Sequence, residues 1–251
     1  MRQPTSAGMS VSPSFYGQLH RLLVEGLNEQ VDSGRAPQRL EPHQRRAVHG
    51  INAFCDAGFS APLVAVAAWE ALLHELLLGD WAQLHYRDNP LWKFPAEDLE
   101  KWDIRKKTLL VPDFLLGRTF DKASQPFQDF SHLVVLRNQF VHFRHTTEPN
   151  SKARTVMKDL TQKGILLTTG DPTCNYPWPG QVACTEVIRW SINTLAAMAR
   201  GLERLAGGEL PLPLSGNFRP VGEAWVRDWY KSNGIDPDSP ARAVQRLGAT
   251  V

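Results

Sequence analysis

The sequence predicts an all-α protein, and three observations carry that prediction. Apolar residues recur at helical spacing through most of the long segments. Serine, proline and glycine stand where such segments would begin and end. Ile165 to Thr169 is the one convincing β-like run, and it is too short to imply a sheet.

Residues 1–13 are small and polar and read as a flexible N-terminus. From Phe15, the spacing of Leu19, Leu22, Leu23 and Leu27 predicts a helix that Gly34 can end. A second helix starts at Pro42, turns Ala47, Val48, Ile51 and Phe54 inward, and stops at Gly58. A third runs from an N-cap at Ser60, through Pro62 in its first turn, to Gly79. Leu63, Val66, Leu73 and Leu77 form its apolar stripe, and Glu70 falls on the same stripe. Pro90, Pro95 and Pro112 break the pattern over residues 80–125, although Pro95 can open a helix with Leu99, Trp102 and Leu109 on one side. Arg105-Lys106-Lys107 there reads as a solvated face. Residues 126–145, PFQDFSHLVVLRNQFVHFRH, read as one long amphipathic helix with Phe130, Leu133, Leu136, Phe140 and Val141 on its apolar arc. A short helix follows over 153–163, then a proline- and glycine-rich loop over 170–180. A last long helix spans about Gln181 to Leu205 and stops at Gly207-Gly208. The expected organisation is a helical domain over 14–207 with a C-terminal extension over 208–251, where Ala224 to Lys231 can form a short helix.

Composition narrows the function classes. The chain has 251 residues, 42% apolar and 22% charged, enough for a sizeable core. A net charge of +2 is too small to imply nucleic acid by itself, so any RNA contact must come from a local patch. Three scattered cysteines, Cys55, Cys174 and Cys184, lack CxxC spacing and fit a reducing cytoplasm. The N-terminus has no signal-like apolar core. Ala61 to Leu78 is apolar enough to resemble a membrane span, but Glu70, His74 and Glu75 interrupt it. The expectation is a buried helix, no membrane partner and a cytoplasmic location.

The chemistry concentrates in Arg137-Asn138-x-x-x-His142. Metal-free RNA cleavage needs proton transfer from the 2′-OH and to the leaving 5′ oxygen, and positive charge on the phosphorane-like transition state. Histidine titrates near neutrality, and arginine makes bidentate phosphate contacts. Asn138 and His142 share a helix face, whereas Arg137 lies roughly 140° round the axis from His142. Arg137 must therefore bend round, or two copies of the helix must meet about a two-fold axis. Glu70 and Arg137 both project into apolar stripes, so the expectation is that Glu70 pairs with Arg137 and orients it.

The segments SAPLVAVAAWEALLHELL (60–77) and LVVLRNQFVHFRH (133–145) resemble the acidic helix and the Arg-x4-His helix of HEPN domains. The resemblance covers roughly residues 40–205 and implies a bundle of four or five helices. It further implies metal-independent RNA cleavage by 2′-OH attack, leaving a 2′,3′-cyclic phosphate, in a homodimer with a composite site. By that resemblance His142 transfers protons, Arg137 clamps phosphate, Asn138 positions, and Glu70 is the acidic partner. Arg144 and His145 add positive charge for RNA. Many such proteins serve toxin–antitoxin, defence or stress systems; no nucleotidyltransferase segment is evident in this chain, so an antitoxin partner would be a separate protein. Other members have lost catalysis and bind RNA, nucleotide or a partner protein, which is the alternative reading here.

Neither a cofactor nor a metal is expected. His142-x-x-His145, with His132 a few turns away, and Glu70-x3-His74 have ligand spacing, but no third ligand is placed by the sequence. Ser131 and His132 point different ways and make a poor nucleophile–base pair. No P-loop, GxGxxG or GxSxG occurs. Trp69, Trp102 and Trp190 read as core; Trp81, Trp178, Trp225 and Trp229 remain open for base stacking.

Overall fold

The apolar run around Trp69 forms α2 (Ala57–Leu78), the helix on which the others are assembled. Small and large apolar residues cover most of its circumference, broken by Glu70, His74 and Glu75 on a half-buried side, and a helix this apolar is stable only when largely surrounded. The computed structural model describes residues 12–32, 57–79, 82, 98, 101–142, 149–166, 178–210 and 214–234. Among them every regular element is a helix: α1 (Ser12–Asp32), α2, α3 (Ile104–Leu116), α4 (Gln125–Val141), α5 (Ser151–Gln162), α6 (Trp178–Val182), α7 (Thr185–Ala206), α8 (Leu214–Asn217) and α9 (Glu223–Ser232). Helices α1, α4 and α7 pack against α2 and α7 closes on α1 and α4, while α5 leans chiefly on α4. By length and composition α2 could cross a membrane, yet 56% of that apolar window is buried inside the protein.

Trp69 is fully buried at the centre. Its Nε1 donates to Thr108 Oγ1 at 3.0 Å, and that hydroxyl donates to Ile104 O at 2.7 Å. The buried indole is thus satisfied, and Phe120 and Phe130 pack against its ring.

Several boundaries differ from the sequence expectation. Helix α2 begins at Ala57, so Gly58 lies inside it and does not end a preceding helix there. The reason is tertiary: a Cβ on Gly58 would sit 2.5 Å from Cys184 N and 2.7 Å from Val182 O. That close approach falls where α6 gives way to α7, which the sequence presented as one helix from Gln181. Pro112 is buried within α3 and does not break it. Helix α3 starts after Trp102, because Asp103 caps it by accepting from Arg105 N at 3.0 Å. It ends at Gly117, whose φ of 63° suits the left-handed cap. The predicted helix over 42–57 falls, apart from Ala57, outside the described residues, as do Leu99, Trp81 and residues 167–177.

The described part of the C-terminal extension folds back on the bundle. Asn193 donates through Nδ2 to Val221 O at 3.1 Å and accepts from Val221 N at 2.7 Å. The Tyr16 hydroxyl donates to Arg219 O, and Leu214, Phe218, Val221 and Tyr230 join the core.

Candidate functional site

The C-terminal end of α4 carries Arg137, Asn138 and the capping residue His142. Pro126 opens the helix, Phe130, Leu133 and Leu136 hold it to the core, and Phe140 fixes its far end. Phe140 packs edge-on against Phe59 at 5.7 Å and stacks on Trp178 at 5.5 Å. Trp178 is thereby a buried packing residue.

The helix closes at His142, earlier than the 126–145 expected, with the His142 N–H donating to Asn138 O at 3.1 Å. His142 and Val141 are exposed, and Arg137 and Asn138 are half-buried. Arg137 does bend round its helix: Nη1 donates to Asn138 Oδ1 at 3.0 Å. The guanidinium therefore reaches toward the face that Asn138 shares with His142. A helix C-terminus carries partial negative charge, so any anion held here needs side-chain cations. Arg144 and His145 lie outside the described residues.

Glu70 has a different partner from the one expected. Its Oε1 accepts from Lys107 Nζ at 2.6 Å, and no ion pair joins it to Arg137. Lys107 Nζ also lies 3.3 Å from His74 Nε2. The Lys107 side chain is 4% exposed, so it is not part of a solvated face. Of the Arg105-Lys106-Lys107 run, only Lys106 is exposed, its ammonium lying 4.8 Å over the Trp102 ring. The signal for Lys107 was its register, since Ile104, Lys107, Val111 and Leu115 form one buried stripe.

A second polar cluster lies between α4 and α5. His132 Nδ1 is 3.3 Å from Asp159 Oδ2, and Lys163 Nζ is 3.0 Å from Asp129 Oδ1 and 2.8 Å from Asp159 Oδ2. Gln125 Nε2 also donates to Asp129 Oδ1 at 2.9 Å. Burial pulls the His132 imidazole below the ordinary histidine value; Asp159 opposes that and Lys163 reinforces it. Burial acts on Lys163 in the same sense, but Asp159 and Asp129 outweigh it and leave the ammonium raised. Sequence spacing could single out His132 but not its partners, because Asp159 and Lys163 come from beyond the α4 motif.

Against known proteins, the chain matches no family profile, no curated protein and no solved structure.

Proposed function

We propose that this chain is a metal-independent endoribonuclease with a HEPN-like helical bundle, acting in the cytoplasm as a homodimer. The observation that carries the reading is the Arg137–Asn138 hydrogen bond beside an exposed His142. It supports an arginine and a histidine serving one phosphate from the end of one helix. His142 moves the protons, Arg137 takes the phosphate charge, and Asn138 aims the guanidinium. RNA is the substrate, and a second copy supplies the facing half of a composite cleft. A separate antitoxin would restrain it in a toxin–antitoxin, defence or stress setting.

The Lys107–Glu70 pair favours a second reading. It leaves Arg137 without the acidic orienter expected of an active member, which suits a catalytically silent helical dimer binding RNA, nucleotide or a partner protein. A purely structural role for both motif residues is disfavoured, because His142 is exposed.

The test is cleavage of an RNA in EDTA beside the same RNA carrying 2′-deoxy at the cut position. The enzyme reading predicts 2′,3′-cyclic phosphate ends from the first and no cut at that position in the second. Equal cutting of both would exclude 2′-OH attack. RNA binding without any cutting would favour the silent dimer.

A further inference from the structure

Asp129 and His132 stand one turn apart on α4, and Asp159 faces them from α5. One ligand-type atom from each residue lies within 4.8 Å of the others. We propose that Asp129, His132 and Asp159 form a zinc site that pins α5 to α4, with Lys163 as the built-in cation the metal displaces. The site lies roughly 15 Å along α4 from His142, at 1.5 Å per residue, and is separate from the cleavage chemistry.

Four observations carry this. The first is spacing. Residues three apart on a helix share a face, which suits a pair of ligands on one element. Two donors on tetrahedral zinc with bonds of about 2.0 Å are about 3.3 Å apart, and His132 Nδ1 and Asp159 Oδ2 are 3.3 Å apart. The second is a cation already in place. Lys163 Nζ lies 2.8 Å from Asp159 Oδ2 and 3.0 Å from Asp129 Oδ1, so both carboxylates already converge on one positive charge, the position a metal ion would take over. The third is charge. Two carboxylates and one ammonium leave a net negative site beside the His132 ring. The fourth is an exit for the resident cation. Lys163 follows the last turn of α5 and its side chain is 33% exposed, so it can swing into water.

Zinc suits the donor set because it accepts imidazole nitrogen and carboxylate oxygen together, and a water completes the fourth position. Sequence spacing could not show the site, since one ligand of the three stands on another helix.

The experiment uses the full chain, stripped with a chelator and dialysed, then titrated with Zn²⁺ against a chromophoric competitor. One zinc per chain is expected. His132→Ala and Asp159→Asn should each weaken it roughly tenfold or more. Lys163→Met should tighten it several-fold, because the competing ammonium is gone. Zinc should raise the thermal midpoint of the wild type and leave that of His132→Ala unmoved. Should His132→Ala fail to fold, His132→Gln gives the same readout with the side-chain volume largely kept. Absence of stoichiometric binding in both wild type and Lys163→Met would overturn the proposal and leave Lys163 as the sole cation. Binding unchanged by His132→Ala or His132→Gln would also overturn it. The RNA-cleavage reading is tested in EDTA, so either can fail without the other.

Discussion

His142 is exposed, so truncating it removes no packing. His142→Ala should lower RNA cleavage by roughly 10²–10⁴-fold, the usual worth of a positioned proton-transfer group. Its stability in urea should stay within about 0.5 kcal/mol of wild type. Arg137→Lys keeps the charge and loses the planar fork that Asn138 holds. Single-turnover rates should fall while RNA affinity, measured separately, is largely kept. Glu70 behaves oppositely, because its partner Lys107 is 4% exposed. Glu70→Gln strands a buried ammonium and should cost about 1–3 kcal/mol, less than for a fully buried pair because Glu70 retains some water. Lys107→Met should be far milder, since it removes the charge that needs a partner. Urea denaturation of the two variants separates a stabilising ion pair from a catalytic carboxylate.

Among the elements, two glycines test which forces set the helices. Gly58 lies against the backbone at 182–184, where a Cβ would meet three backbone atoms at 2.5–2.8 Å. Gly58→Ala should therefore destabilise the protein by about 1–3 kcal/mol, because backbone shifts outweigh the helix-propensity gain. Gly17 in α1 meets nothing within 4 Å, so Gly17→Ala should stabilise by about 0.5–1 kcal/mol. Thermal melts of both variants check the opposite signs. The same contrast explains what the sequence could reveal. The buried side of α4 was legible because Phe130, Leu133 and Leu136 repeat at helical spacing. The α6–α7 break and the place of Gly58 were not, because each exists only through the other. Pro112 was misleading for a related reason: its local penalty is outweighed by the packing of the α3 stripe. The motif residues were legible as a pattern, whereas Glu70's partner was misread, since the basic run drew attention from the register that puts Lys107 on the buried α3 stripe.

For the whole molecule, the C-terminal extension is held where α1 meets it. His20 packs beside Tyr16 at 5.1 Å and Trp225 at 6.5 Å. Burial lowers its value below the ordinary histidine range, and a backbone bond with Arg219 only partly opposes that. The unfolded chain then takes up the proton first as pH falls below about 6.5. Stability is therefore full above that value and declines as pH falls through the lower folded-state value. His20→Phe should flatten the loss between pH 7 and 5, as read by urea midpoints at both ends.

The most direct test of the central claim is RNA cleavage in EDTA by the wild type and His142→Ala, both shown to be folded by their melting curves. The account predicts cutting by the wild type, with 2′,3′-cyclic phosphate ends, and loss of that cutting in the variant. Equal cutting by a folded His142→Ala would contradict it, because the α4 end would then not be where the chemistry happens.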